Sequence, residues 1–340
     1  MSIAREGQDL TSPSAGRVRA RARVVALQRS APLAQIIALA GLYGVGAATL
    51  EGFTSLASLK AMLVLAALLG LAATGQTIVV LLGGLDLSIA GFISFGDVLF
   101  AVLSGKGWAF VPALAVVLAI ALALGAVNGY LCARFGLQPI VVTIAMGFVL
   151  VGIAQVEVSN FTVGAVPAFL ERFSSATGQT LGLGIPPVVV MWAIVAILTS
   201  LTLARTRLGR HIYQTGSNPV AAELALVRTL RIRTGAFAFS ALCAAVVGVL
   251  LAGFTGSADA SAGDQYLFTS LAAVIVGGTS IVGARGDYWR TVVGALIITV
   301  LSTLLIGHGY GTGDQQILFG VAILLVVVVY GREARLRDRV

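Results

Sequence analysis

The residues of this 340-residue chain that could do chemistry are few, and most stand inside apolar runs. The first group is Gly83-Gly84-Leu85-Asp86-Leu87-Ser88, two glycines and an acid between two apolar stretches. That pattern predicts a break between helices. Asp86 or Ser88 can cap the helix that follows by accepting backbone N–H groups at its start. One reading puts the freed backbone and polar groups beside a solute path; the plainer one is a tight inter-span turn with an N-cap. Asp97 follows in Phe95-Gly96-Asp97-Val98. An ionisable group inside a span is costly and faces a cavity or a partner, so Asp97 reads as an acceptor for a polar solute or as a proton site. The plainer reading sets the span boundary one turn away, with Asp97 near an interface. Gln76, Asn128, Gln138 and Thr143 are further polar groups in apolar windows. They can bond the hydroxyls of a neutral solute, or a neighbouring helix.

A second group lies in the one long polar interruption of the C-terminal half, residues 205–233. It carries Arg205, Arg207, Arg210, Arg228, Arg231 and Arg233. In its middle, Gly216-Ser217-Asn218-Pro219-Val220-Ala221-Ala222-Glu223 is a helix start. Asn218 suits the N-cap, and Pro219 suits the first helical position, where its missing N–H costs nothing. The expected helix runs from Asn218 to about Arg228, with cations toward the negative end of its dipole. Its small Ala221-Ala222 face predicts docking into a protein groove; an amphipathic helix lying in the membrane interface is the alternative.

Enzyme chemistry finds little support. There is no Gly-x-x-x-x-Gly-Lys-Ser/Thr phosphate loop, so the chain is not expected to hydrolyse a nucleotide. The two histidines, His211 and His308, fall on opposite sides of the membrane in the topology below, which excludes a His-based triad or metal site. No catalytic residue, metal or cofactor is expected in this chain.

The elements that position these residues follow from composition. The chain is 58% hydrophobic and 11% charged, a ratio that no soluble surface needs. Its charge-free windows are long enough to cross a bilayer. They predict an all-α polytopic membrane protein of ten spans, at about 32–50, 61–82, 88–104, 111–132, 138–156, 186–204, 234–254, 266–284, 290–307 and 316–331. The net charge of +8 comes from arginines at the N-terminus, in 205–233 and at the C-terminus. That clustering follows the positive-inside rule and places both termini, Arg134, 205–233 and Arg285 in the cytoplasm. It does not point to nucleic acid; attraction to anionic lipid is compatible with it and adds little. The expected organisation is a basic tail over 1–30, a transmembrane domain over 31–331 and a basic tail over 332–340. The N-terminus does not read as a cleavable signal. Cys132 and Cys243 read as small buried apolar groups. The Gly83-Gly84 and Gly277-Gly278 pairs hint at an internal repeat.

In order along residues 60–330, these motifs resemble the permease subunit of ABC importers of the ribose/simple-sugar type. Gly83-Gly84-Leu85-Asp86-Leu87-Ser88 is similar to that family's Gly-Gly-Ile-Asp-Leu-Ser signature. Gly125-Ala126-Val127-Asn128-Gly129 and Gln138-Pro139-Ile140-Val141-Val142-Thr143 resemble its Asn-Gly and Pro-Pro-Phe-Ile-Val-Thr segments. Gly209-Arg210-His211-Ile212-Tyr213, leading into Gly216-Ser217-Asn218-Pro219 and Ala221-Ala222, resembles its coupling loop. Gly277-Gly278-Thr279-Ser280 and Gly283-Ala284-Arg285-Gly286 resemble its Gly-Gly-Thr-Ser…Gly-Gly-Arg-Gly stretch.

The resemblance implies a type II importer-like permease of the bacterial inner membrane, with broken helices and with both termini inside. It implies a second permease copy, identical or not, ATPase subunits that bind ATP and Mg, and an extracytoplasmic sugar-binding protein. Gly216, Asn218, Pro219, Ala221, Ala222 and Glu223 would meet the ATPase. Gln76, Asp86, Ser88, Asp97, Asn128 and Thr143 would line the path of a monosaccharide or polyol. Two departures bear on the solute. Asp97 stands where the family usually has a small or apolar residue, and Tyr266-Leu267-Phe268-Thr269-Ser270 stands where acidic residues are frequent. A proton-coupled secondary transporter using Asp97 or Asp86 is the competing reading, and the sparse intramembrane charge argues against it. A non-transport scaffold leaves the helix break unexplained.

Overall fold

A computed structural model describes residues 32–160, 166–321 and 324. Among these residues the chain is helical, apart from one isolated antiparallel bridge between Thr180 and Leu183. In chain order the helices are α1 Leu33–Thr49, α2 Leu56–Leu81, α3 Ile89–Gly105, α4 Phe110–Phe135, α5 Pro139–Asn160, α6 Ala168–Ser174 and α7 Pro187–Arg205. Then come α8 Arg207–Ser217, α9 Pro219–Leu224, α10 Thr229–Thr255, α11 Asp264–Gly277 and α12 Tyr288–Gly307. Residues 312–321 are helical again. Six helices, α2, α4, α5, α7, α10 and α12, are long and apolar enough to cross a membrane.

Helix α10 is the hub and packs against α4, α3 and α2. Glycines permit this closeness. A Cβ on Gly75 of α2 would lie 2.4 Å from Ser240 Cα, and one on Gly125 of α4 would lie 2.5 Å from Ala241 Cβ. A Cβ on Gly129 would come within 2.6 Å of Thr234 Cα. In lipid there is no hydrophobic force between helices, so such close van der Waals packing holds them together. The Gly125…Gly129 pair therefore works as an ordinary small-xxx-small contact.

A polar clasp ties α12 to α2 and α7. The Tyr288 hydroxyl donates to the Gly70 carbonyl (2.6 Å) and accepts from Thr74 Oγ1 (2.7 Å) and Trp192 Nε1 (3.1 Å). One turn further on, Thr77 and Thr291 share a hydrogen bond of 2.9 Å. Tyr288→Phe leaves the buried indole N–H without its acceptor. We expect a loss of about 1–3 kcal/mol, read as a lower melting temperature of the purified permease. An unchanged melt would show that the clasp contributes nothing net.

Two short helices adjoin non-helical chain: α3 fills the span expected over 88–104, whereas α11 stops short of the span expected over 266–284. Helix α3 has 17 residues and α11 has 14, so their lengths are roughly 26 and 21 Å against a hydrocarbon core of about 30 Å. Non-helical chain precedes each. Residues 82–88 turn back from the end of α2, where Gly83 adopts φ +75°, and feed α3. Residues 256–263 turn back from the end of α10, through Gly256 at φ +72°, and run along α3 before α11 begins.

The structure redraws several expected boundaries. Helix α2 begins at Leu56, because Ser55 caps it by accepting the Ser58 N–H at 3.2 Å. The span expected over 266–284 stops at Gly277, because Gly278 takes a left-handed conformation at φ +101°. Helix α5 runs to Asn160 and so carries Glu157 beyond the expected span end at 156. Cys132 is buried as expected, but Cys243 is only partly so. The tails 1–30 and 332–340 lie outside the described residues, as does most of the span expected over 316–331.

Candidate functional site

The break between α2 and α3 gathers four of the residues singled out from sequence. Asp86 Oδ1 accepts both the Ser88 N–H (3.0 Å) and the Ser88 hydroxyl. Asn128 Nδ2, on α4, donates to Ser88 Oγ at 3.1 Å. Thr143 Oγ1, on α5, accepts the Leu87 N–H at 3.0 Å and donates to the Pro139 carbonyl at 2.8 Å. All four side chains are buried. Asp86 thus binds a backbone N–H at the start of α3, as predicted, while Ser88 at the N-cap position makes no cap bond itself. The non-helical stretch 84–88 is therefore pinned from α4 and α5.

Two acceptor oxygens of this knot, Asp86 Oδ2 and Asn128 Oδ1, have no close partner, and the Ser240 hydroxyl on α10 lies beside Asp86, where it can donate to the carboxylate. Sequence reasoning missed Ser240. Its signal was available, as the only strongly polar group in the window 235–254.

Asp97 is fully buried at the middle of α3. Its Oδ1 accepts the Asp259 N–H at 2.9 Å, and its Oδ2 has no partner. Three residues earlier, Ser94 Oγ accepts the Gly263 N–H at 3.1 Å. These two bonds pin 256–263 against α3. Neither Ser94 nor Asp259 was singled out from sequence, because Ser-Ala-Asp-Ala-Ser-Ala-Gly reads as an ordinary loop. Gln76 lies apart from the Asp86 knot: it is fully buried on α2, and both amide atoms lack partners.

The 205–233 segment is more helical than expected. Thr206 caps α8 by accepting the Gly209 N–H (3.2 Å), and Asn218 Oδ1 caps α9 by accepting the Ala221 N–H (3.1 Å). Pro219 sits at the first turn as predicted. The expected helix from Asn218 to about Arg228 is cut short: α9 ends at Leu224, because Leu226 is left-handed at φ +61°. Arg228 is the N-cap residue of α10, and Arg231 and Arg233 lie within that helix, so they do not complement the C-terminal end of α9. The flat Ala-Ala face does not form either. Ala221 is exposed and Ala222 is buried at 3%. The outward groups are Val220, Ala221, Glu223, Leu224 and Leu226. Glu223 also accepts a hydrogen bond from the Thr229 hydroxyl, which holds α9 to α10.

Gly216 ties this segment to the first break. A Cβ there would lie 1.9 Å from the Leu81 carbonyl oxygen, and the same oxygen accepts the Ala284 N–H at 2.9 Å. A Cβ on Gly283 would meet Gly83 N at 2.9 Å and the Gly216 carbonyl oxygen at 3.1 Å. Nearby, the Tyr213 hydroxyl donates to the Gly286 carbonyl at 2.8 Å. Burial pushes that phenol's pKa up, and the Asp287 carboxylate adds to the effect. The end of α2, the end of α8 and the turn before α12 thus meet backbone to backbone.

Comparison with known proteins fits this architecture to one group. The family model described as "Branched-chain amino acid transport system / permease component" matches residues 58–328. The chain belongs to this permease family. The ribose import permease of Escherichia coli strain K12 is 32% identical over 259 residues, covering 76% of this chain and 80% of the relative. The fructose import permease of Rhizobium meliloti is 32% identical over 274 residues, 77% of this chain and 74% of the relative. The galactofuranose transporter permease of Escherichia coli strain K12 is 31% identical over 265 residues, 78% and 76% of the two chains. No solved structure matches. The matched region takes in α3, α11, the Asp86 knot and α8–α9, so every candidate group described above belongs to the shared permease domain.

Proposed function

We propose that this chain is the membrane-spanning subunit of an ATP-driven importer of a monosaccharide or related polyol. It crosses the bacterial inner membrane several times. Membership of the permease family, with relatives named for ribose, fructose and galactofuranose, supports the class and the solute. The structural observation that carries the reading is the backbone junction of Gly216, Leu81 and Ala284. It joins a capped helix pair to the foot of α2, so force applied at α9 reaches the break directly.

In this reading the chain crosses ten times, with both termini inside. The six long helices and α1 supply seven crossings. Helix α3 with 82–88, α11 with 256–263, and the helix that begins at 312 supply the others. The arginines of 205–233 support this orientation. The subunit pairs with a second permease, identical or not. ATPase subunits, which bind ATP and Mg and supply the hydrolysis this chain lacks, dock on Val220, Ala221, Glu223 and Leu224, while Asn218 and Pro219 set the start of α9. An extracytoplasmic binding protein delivers the sugar. Asp97 and Gln76 offer hydrogen bonds to its hydroxyls when 256–263 parts from α3. The Asp86–Ser88–Asn128–Thr143 knot shapes the path by holding 84–88 out of the helix.

Reconstitution in liposomes with the ATPase and binding protein from adjacent genes tests this. Uptake of a monosaccharide should require ATP hydrolysis and survive an uncoupler at constant ATP. Uptake that collapses with the uncoupler would establish proton coupling instead and sink the ATP-driven reading.

Asp97→Asn keeps the Oδ1 acceptor for Asp259, so assembly should be unchanged. It turns Oδ2 into an amide nitrogen that can only donate. If a sugar hydroxyl donates to Oδ2, KM for uptake should rise about fivefold, the scale of one hydrogen bond. Uptake unchanged across solute concentrations would take Asp97 out of the path.

A further inference from the structure

One face of α7 changes character along its length. Ile194, Ile197 and Leu201 fall on it, each about half exposed, and Arg205 follows at the helix end. From Ile194 to Arg205 is about 16 Å of helix, close to half of a hydrocarbon core of roughly 30 Å. An apolar row of one leaflet's depth, ended by a cation, matches the order of acyl chain and phosphate in a phospholipid.

Beside that row, α7, α8 and the start of α12 enclose a cavity of about 350 Å³. Ile197, Leu201 and Arg205 line it from α7, and Tyr213 lines it from α8. Asp287 and Trp289 close it at the start of α12. Arg205 makes no ion pair and no side-chain hydrogen bond among the described residues. Ser200, also in the wall, is 9% exposed, and its hydroxyl has no partner. Asp287 is only partly engaged. Its Oδ1 accepts the Arg290 N–H at 2.9 Å and its Oδ2 accepts Arg290 Nε at 3.1 Å. A carboxylate has about four acceptor positions, so further donors can be taken. The Tyr213 hydroxyl donates to Gly286 and keeps its own oxygen as an acceptor. Trp289 is half exposed, as suits an indole at headgroup level. One cavity thus offers a cation for phosphate, acceptors for an ammonium group and an apolar wall for a chain. Basic pockets between membrane helices are the usual seats of lipid headgroups.

We propose that this cavity binds one phospholipid with a primary-amine headgroup. Its phosphate meets Arg205, its ammonium meets Asp287 and Tyr213, and a chain follows Ile197 and Leu201. A headgroup that lacks the amine leaves Asp287 facing a net negative charge and binds less tightly. The bound lipid bridges α7 and α8 to the turn before α12, which Tyr213 already holds at Gly286. The proposal goes beyond the transport reading and needs only that the chain spans a membrane.

Native mass spectrometry of the delipidated full-length permease tests it. The probes are dioleoyl phosphatidylethanolamine, dioleoyl phosphatidylglycerol and soluble phosphorylethanolamine. Wild type should hold one phosphatidylethanolamine about tenfold more tightly than phosphatidylglycerol, the scale of one hydrogen bond between charged groups. Phosphorylethanolamine, without chains, should not bind. Arg205→Ala should weaken both lipids by about tenfold or more. Asp287→Asn keeps a good capping side chain and should erase the preference between the two lipids. If that variant cannot be purified, the wild-type preference and Arg205→Ala decide. Arg134→Ala, a cation at the end of α4 and outside the cavity, is the control and should change nothing. Equal affinity of wild type for both lipids would overturn the proposal. So would equal losses in Arg205→Ala and Arg134→Ala, which would mark general attraction of lipid to cations. Phosphorylethanolamine binding as tightly as the lipid would assign the cavity to a free phosphate ester instead.

Discussion

Arginine at Ala221 should abolish ATP-driven uptake while the permease remains folded in the membrane. Ala221 is exposed on α9, and its N–H is fixed by the Asn218 side chain, so the helix start survives the change. A long cation on that outward face separates the permease from any docked ATPase. At a contact of this kind the loss is about 3 kcal/mol, or roughly a hundredfold in coupled rate. The neighbouring substitution should fail differently. Ala222 is 3% exposed and packs inward, so Ala222→Arg forces a charge into the protein and should reduce recovery of folded permease. Size-exclusion profiles and uptake, measured together, separate the two outcomes. Normal uptake by the Ala221→Arg transporter would remove α9 from the ATPase contact.

The second large effect is expected at Gly216. One methyl there would stand 1.9 Å from the Leu81 carbonyl oxygen, with the Ala284 nitrogen only 3.2 Å away. Both obstacles are backbone, so no rotamer change relieves the clash. Gly216→Ala should cost at least about 3 kcal/mol, the upper end for overpacking a tight site. Gly235→Ala is the control, because nothing lies within 4 Å of its built Cβ and alanine is the better helix former. If the two variants melt together, the junction is looser than its distances say.

Much of this could be read from the chain, for identifiable reasons. Long apolar windows located the helices because a bilayer demands unbroken apolar length. The Asn218-Pro219 start was legible because a cap and a fixed φ are local properties. Its end was not, because the left-handed turn at Leu226, closed by the Val227 N–H returning to the Ala222 carbonyl at 3.0 Å, is announced by no glycine. The Asp86 break was legible from its glycines, whereas the second break was not, since 256–263 carries the composition of an ordinary external loop. Which of Ala221 and Ala222 faces outward is a question of helix phase, and the sequence leaves that phase open. The partners of Gly216 lie more than sixty residues away in either direction, beyond the reach of any motif.

Helix α3 is buried along nearly its whole length, is, like α1, at the lower limit of length for crossing a bilayer, and carries Asp97 at its middle. Its chief neighbour, α10, is made about 120 residues later. At 5–20 residues per second the ribosome takes on the order of ten seconds to supply it. During that interval α3 has α4 and α5 for partners, but the face that α10 will cover meets lipid or the insertion machinery. Biogenesis therefore sets a demand that the finished transporter does not reveal. The early helices must be held near the translocon until α10 arrives, and slower synthesis of the α4–α9 segment should increase the fraction of chains that are degraded.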